Sequence, residues 1–125
     1  ELDKWFSLYI RLRRATKEGV VQCFTCGKID HYKKMHCGHF QSRKHHATRW
    51  HDKNCEVQCV KCNIFDSGQQ YKFSIAIDNR HGQGTAQELE YLARTTVKFM
   101  RCDYEELTEK YKRLATLLIN KTDKG

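Results

Sequence analysis

The sequence predicts a single α+β domain in which a zinc-stabilised middle segment lies between an N-terminal helix and C-terminal helices. Three observations predict this class: apolar residues at helical spacing near the N-terminus, two Cys-x-x-Cys motifs around the middle, and two later helix-start signals. A chain of 125 residues has a small core, to which a bound metal would add stability. The predicted parts are a helix in 1–19, the zinc-stabilised core in 20–82 and a helical region in 83–125.

The first helix is predicted over residues 3–16, where Trp5, Phe6, Tyr9 and Ile10 recur at helical spacing, and Gly19 is predicted to end it. The stretches VVQCFTC and KKMHCGHF then favour short strands. The stretch YKFSIAID alternates apolar and polar residues with a period of two, which taken alone predicts a strand.

The C-terminal part is predicted to form two helices, over residues 85–99 and 103–121. Thr85 with Glu88, and Asp103 with Glu106, each match an N-cap residue followed by Glu three positions later. An apolar stripe runs along the second helix, formed by Leu107, Tyr111, Leu114 and Leu118. We expect this stripe to pack onto the rest of the domain, the alternative being a dimer surface.

The cysteine pattern predicts a structural zinc site. Two Cys-x-x-Cys motifs, separated by 32 residues, each offer two thiolates to one ion, and together they complete a tetrahedral Zn²⁺ site. The four predicted ligands are Cys23, Cys26, Cys59 and Cys62. Seven cysteines also allow disulfides or a redox pair, but an odd number and the paired spacing favour zinc.

The three other cysteines have less distinct predictions. Cys102 is expected to be a small buried apolar residue. Cys37 and Cys55 lie close in sequence to His39 and Asn54, so they would either support a neighbouring site or bind another ion.

The charge predicts a polyanionic partner. The formal net charge is +8, of which residues 1–62 carry +7, and six of the seven histidines lie between His31 and His51. The basic, His-rich half is therefore predicted to carry the functional surface. No run of about 18 apolar residues occurs, which argues against a membrane span.

His39 and Asn54 lie between the two cysteine motifs, and Asn63 directly follows the second. They stand in the order found in HNH, or ββα-metal, nucleases: a His at a strand end, a loop Asn and an Asn or His opening a helix. Phosphodiester hydrolysis needs a base that activates water and a divalent ion that holds the anionic oxygens. A neutral imidazole suits the first role near pH 7, and a loop Asn can hold the ring in place.

These motifs resemble the NinG/Rap family of lambdoid phage recombination endonucleases over about residues 3–118. The matching segments are DKWFSLYIRLR (3–13), CFTCGK (23–28), CGHFQSR (37–43), ATRWHDKN (47–54), QCVKCN (58–63) and SG (67–68). The resemblance implies a zinc-stabilised ββα-metal (HNH-like) core. It also implies structure-selective cleavage of branched DNA, including Holliday junctions, with Mg²⁺ or Mn²⁺.

By match of motif, the resemblance implies that His39 is the general base, Asn54 the loop Asn and Asn63 a ligand on the metal side. It also implies phosphate contacts from Arg43 and Arg49, and Lys44 between them is expected to face phosphate too. Cutting opposite strands of a junction needs two active sites, so a homodimer is expected, through the first or the last helix. The resemblance and the reduced cysteines place the protein in the cytoplasm of the bacterial host.

The chain departs from the family pattern at His36, where an Asp is usual. Either an imidazole ligand shifts the preferred ion from Mg²⁺ toward Mn²⁺, Zn²⁺ or Ni²⁺, or His36 is not a ligand and activity is compromised. Arg14 likewise stands where an acidic residue is usual, and it is expected to make the first helix more basic.

The resemblance also revises YKFSIAID to a helix, with Gly82 at its C-terminal end. The alternatives to a nuclease are a zinc-dependent DNA-binding module without catalysis, and a zinc adaptor for protein partners.

Overall fold

Residues 1–122, the part of the chain that the computed structural model describes, contain α-helices and two short strand pairs. In chain order the elements are α1 (Leu2–Leu12), β1 (Val20–Gln22), β2 (Ile29–His31), β3 (His36–His39), α2 (His46–Arg49), β4 (Cys55–Gln58), α3 (Gln70–His81), α4 (Thr85–Ala93) and α5 (Arg101–Lys121). The predicted mixed α+β class is confirmed. Residues 123–125, the end of the predicted region 83–125, lie outside the described residues.

Two antiparallel pairs, β1 with β2 and β3 with β4, form the β-structure of the described chain. In the second pair His36 lies opposite Gln58, and His39 lies opposite Cys55. A short π-helical turn, Lys61–Phe65, follows β4 and contains Asn63. π-Helical turns are rare and concentrate at functional sites. Along the chain, β3, the loop that contains α2, β4 and this turn follow one another, with His39 at the end of β3 and Asn63 in the turn.

The first helix ends at Leu12, four residues before the predicted end. The N–H of Ala15 donates to the carbonyl of Leu12, and Gly19, with φ +82°, lies in the turn that leads into β1. The reason lies in Glu56, a fully buried carboxylate that needs partners of opposite charge. Arg13 and Arg14 leave the helix and reach it at 3.2 and 3.1 Å. Arg14 therefore pairs with an acid instead of making α1 more basic.

Helix α3 contains the stretch YKFSIAID, so the strand predicted from its period of two is wrong and the helix implied by the resemblance is right. The period misleads because burial follows residues four apart: Phe73 and Ile77 are both 0% exposed, whereas Tyr71 is exposed. Gly82 ends the helix with φ +114°, as predicted.

The two predicted N-caps are displaced. Thr85 is the first residue of α4, and its hydroxyl donates to the carbonyl of Gly82 at 2.7 Å instead of capping the helix. Helix α5 begins two residues before Asp103, whose carboxylate accepts from the N–H of Met100 at 2.8 Å. Asp103 is thus the acidic partner of a capping box, and Met100 holds the N-cap position. The end predicted for α4 at residue 99 is also wrong, because the helix stops at Ala93.

The apolar stripe of α5 packs against α1, as expected. The ring of Tyr111 lies 4.9 Å from that of Phe6 in an edge-to-face contact, and Leu107 and Leu114 join the same cluster. Leu118 packs against a second cluster that contains three of the zinc-motif cysteines. Among the helices of residues 1–122, none combines the length and apolarity needed to cross a membrane.

Candidate metal and catalytic site

The two Cys-x-x-Cys motifs bring their four sulfur atoms together. The members of this cluster are Cys23, Cys26, Cys59 and Cys62, and all four Sγ atoms lie within 4.8 Å of one another. The Sγ atoms of Cys26 and Cys59 are 3.6 Å apart. A tetrahedral zinc with bonds of about 2.3 Å spaces its sulfurs by about 3.8 Å. The cluster fits a structural zinc, and no cysteine within residues 1–122 forms a disulfide.

The electrostatics of the cluster also favour a bound cation. Burial raises the pKa of the Cys23 thiol. Hydrogen bonds from the backbone N–H of Cys59 and the hydroxyl of Thr25 outweigh this effect and lower the pKa to about 6. Burial raises the pKa of Cys62 to about 12, and the neighbouring sulfurs of Cys26 and Cys59 oppose its ionisation. One thiolate therefore forms readily near neutral pH, whereas the four together need a cation such as Zn²⁺.

Three predicted site residues, His36, His39 and Asn63, line one open cleft of about 560 Å³ between α1 and β3. His39 and Asn63 also line an adjacent cleft of about 290 Å³. The side-chain amide of Asn63 donates to Nδ1 of His36 at 3.0 Å. In this hydrogen bond the amide nitrogen of Asn63 is a donor and not a metal ligand, so the pair would hold the predicted ion with Asn63 turned to present its Oδ1 beside a ring nitrogen of His36. The ion would then have a nitrogen ligand and an amide oxygen in place of carboxylates.

The imidazole of His39 has a defined orientation. Its Nε2 lies 2.9 Å from the carbonyl oxygen of Arg49, which can only accept, so Nε2 carries the proton and Nδ1 is the ring's acceptor. Burial lowers the pKa of His39 below its ordinary value of 6.5, the bond to Arg49 offsets part of this shift, and the charge of Arg43 lowers it again. His39 is therefore a neutral imidazole at pH 7, as a general base requires.

Asn54 acts on the loop and not on the histidine ring. Its side chain is 0% exposed and donates to the carbonyls of Thr48 and Gln41 at 3.0 and 3.1 Å. Its Oδ1 accepts from the N–H of Gln41 at 2.8 Å. None of these bonds goes to His39. Asn54 instead holds the loop between β3 and β4, and that loop presents the Arg49 carbonyl to His39.

We expect Asn54→Ala to lower the free energy of unfolding by about 3 kcal/mol, because it leaves buried backbone groups without partners. Denaturant unfolding measures the loss. The matched control is Asn79→Ala on the exposed face of α3, with an expected effect within about 0.5 kcal/mol. Equal, small losses in both variants would show that the loop does not depend on Asn54.

The predicted phosphate contacts differ in their surroundings. Arg43 and Lys44 are exposed, whereas Arg49 is 21% exposed. The guanidinium of Arg49 pairs with Asp3, and that of Arg43 lies 3.2 Å from the same carboxylate. Trp50 donates from Nε1 to the same carboxylate at 2.9 Å. Burial raises the pKa of Asp3, but hydrogen bonds from Arg49 and Trp50 and the nearby charges bring it below its ordinary value. Arg49, with a contribution from Arg43, therefore fixes α1 to the loop, and the exposed Arg43 and Lys44 are the residues more open to phosphate.

Gln58 and Gly38, for which the sequence predicts no role, connect the zinc cluster to the cleft. Gln58 is buried and donates to the Thr25 hydroxyl at 3.0 Å and to the Gly68 carbonyl at 2.9 Å. A Cβ at Gly38 would lie 2.0 Å from Oε1 of Gln58, so only glycine fits there. The signal in the sequence was the Gly directly before His39.

The remaining cysteines divide into a buried cluster and an exposed residue. Cys102 is exposed, so its predicted burial is wrong: it lies off the stripe of α5 that faces α1. Cys55 is 0% exposed and packs among apolar side chains. Cys37, Cys55 and His39 bring their ligand atoms within 4.8 Å of one another.

Comparison with known proteins gives one match. The family model described as bacteriophage lambda NinG protein matches residues 1–121. Neither the curated proteins nor the solved structures contain a significant match.

Proposed function

The chain belongs to the NinG family, and on that premise we propose that it is a divalent-metal-dependent endonuclease that cleaves branched DNA, such as Holliday junctions, by phosphodiester hydrolysis. The observation that carries the proposal is the geometry of His39. A buried, neutral imidazole held through Nε2 lies in the same cleft as the pair formed by His36 and Asn63. A base beside a pair of metal-ligating side chains is the arrangement that hydrolysis of a phosphodiester requires.

Each residue then has a distinct role. Nδ1 of His39 accepts a proton from the attacking water, and the Arg49 carbonyl stabilises the imidazolium that results through Nε2–H. His36 and Asn63 would hold the divalent ion, which when bound supplies charge stabilisation at the phosphoryl and leaving oxygens. The succession of β3, β4 and a helical turn around these side chains supports an HNH-like, ββα-metal interpretation of this part of the chain.

The charge distribution supports DNA as the substrate. Arg43 lines both clefts beside His39, and Lys44 follows it on the exposed loop. Phosphate contacts of this kind make affinity fall steeply with salt. The only carboxylate among the residues that line the larger cleft is that of Asp3, which is already paired with Arg49. An ion site made from His36 and Asn63 therefore favours Mn²⁺ over Mg²⁺.

The proposal includes a homodimer, because opposite strands of a four-way junction require two clefts. The apolar faces of α1 and α5, the two helices expected to form the interface, pack against each other within one chain. The interface would therefore use other surfaces.

The test compares a labelled four-way junction with a linear duplex of the same arm sequence, in Mn²⁺ and in Mg²⁺. We expect cleavage of the junction, stronger in Mn²⁺, and an intact duplex. Binding should weaken as salt rises. Tight, salt-sensitive binding without cleavage in either ion would overturn the endonuclease proposal and favour the zinc-dependent DNA-binding module.

A further inference from the structure

The face of the β3–β4 pair that points toward α1 carries three soft metal ligands. Cys37 and His39 are two residues apart on β3, so their side chains lie on the same face, and Cys55 on β4 lies directly opposite His39. Their Sγ and ring nitrogen atoms lie within 4.8 Å of one another. These three residues are separate from the four sulfurs of the zinc cluster and from the pair formed by His36 and Asn63.

We propose that Cys37, His39 and Cys55 form a second metal site, which takes a thiophilic divalent cation such as Zn²⁺ or Cd²⁺ and, when filled, withdraws His39 from catalysis. Two thiolates and a neutral imidazole suit such a cation and not Mg²⁺. A dication with two thiolates is also electrically neutral, which is the charge state that the fully buried Cys55 requires.

The surroundings of the three ligands support binding. The Arg49 carbonyl accepts both from Nε2 of His39 at 2.9 Å and from Sγ of Cys55 at 3.7 Å. Two protons therefore point at one oxygen. A cation that replaced these protons would bind the same nitrogen, sulfur and oxygen atoms. The guanidinium of Arg13 donates to the Cys55 carbonyl at 2.7 Å. Burial and the neighbouring Cys37 raise the pKa of the Cys55 thiol well above its ordinary value, and the charge of Arg13 offsets part of this shift.

Occupancy would stop catalysis for a geometric reason. A ring nitrogen of His39 that binds the cation changes the ring's hydrogen bonding and its basicity, so the imidazole no longer serves as the base. This second half of the inference rests on the proposed function. The metal site itself does not, since it depends only on the three ligands.

The direct test is a Co²⁺ titration of the metal-free full chain, followed by thiolate-to-cobalt charge-transfer absorption. We expect two thiolate-bound equivalents in the native protein. Cys37→Ser should keep the first, at the four-cysteine cluster, and weaken the second by about 100-fold or more. Cys102→Ser is the matched control, because it removes an exposed thiol outside both sites, and it should keep both equivalents.

The cleavage assay supplies the second readout. Zn²⁺ added beyond the first equivalent should inhibit junction cleavage by the native protein and leave Cys37→Ser active. A titration that saturates at one thiolate-bound equivalent, or a Cys37→Ser variant that keeps two, overturns the metal site. Two equivalents in a protein that cleaves no DNA in any state would instead overturn the endonuclease proposal and leave the metal site standing.

Discussion

Replacing His39 with alanine is expected to reduce junction cleavage by about 10²- to 10⁴-fold, the usual contribution of a positioned general base. The reason is that Nδ1 is the ring's acceptor, fixed by the bond from Nε2 to the Arg49 carbonyl. The measurement is single-turnover cleavage of a labelled four-way junction at saturating protein, which separates the chemical step from binding.

The loss must arise without unfolding or loss of DNA affinity. Zinc content and junction binding should therefore stay at native levels in His39→Ala. The matched control is His46→Ala, which removes an exposed histidine from the same basic segment and should retain cleavage. If both variants cleave at the native rate, His39 is not the base. If both lose binding, the histidines act through DNA contact.

The pH dependence of cleavage tests the assignment of His39 as the base, because the direction of its pKa shift is known. Burial, offset in part by the bond to Arg49, lowers the pKa of His39 below 6.5 in the folded protein. Cleavage should therefore be constant above pH 6.5 and fall only as the pH drops through that lower value. Stability follows the same direction, because the unfolded chain binds the proton more tightly. The contribution of His39 to the free energy of unfolding is fully present above pH 6.5 and is lost as the pH falls through its lowered pKa. An acid limb above 6.5 would assign the base to another group.

The zinc cluster could be predicted from the sequence because its information is local. Each Cys-x-x-Cys motif fixes two sulfurs within one turn, and the four sulfurs lie close enough together for a single ion to join the two motifs. His39 and Asn63 were found in the same way, from short motifs next to Cys37 and Cys62.

The supports of the site could not be predicted, since they join residues far apart in the chain. Asp3 meets Arg49 and Trp50 across more than 40 positions, and no periodicity in either segment indicates that pairing. Asn54 was identified, but its bonds to the loop carbonyls depend on how the chain returns on itself. Asp103 was placed in a capping box, yet its position in the box depended on where the helix begins.

Removing one zinc ligand is expected to have the largest effect on stability. We expect Cys59→Ser to lose the zinc and the cooperative unfolding transition of the middle segment. Zinc contributes about 10–16 kcal/mol in small zinc peptides, which is comparable to the about 5–15 kcal/mol that stabilises a whole domain. Zinc analysis and thermal unfolding by circular dichroism measure the two losses.

The location of the cluster explains why the effect should spread. Cys23, Cys59 and Cys62 are core residues of one buried cluster, and the same cluster contains Leu12 from the end of α1 and touches Leu118 from α5. Without the ion, a buried thiolate at Cys23 lies beside sulfurs that resist ionisation. The buried cluster is then no longer held together by a metal, and both helices lose a packing surface.

Limited proteolysis locates the change. In Cys59→Ser, and in the native protein after chelation, new cleavage sites should appear between residues 20 and 69, where the strands and the zinc motifs lie. The control Cys102→Ser makes the same chemical change at an exposed position and should keep the native melting temperature and zinc content. A Cys59→Ser protein that holds no zinc but melts like this control would show that α1, α5 and their contacts around Phe6 and Tyr111 stabilise the fold without the ion. The cluster would then serve a role other than a structural one.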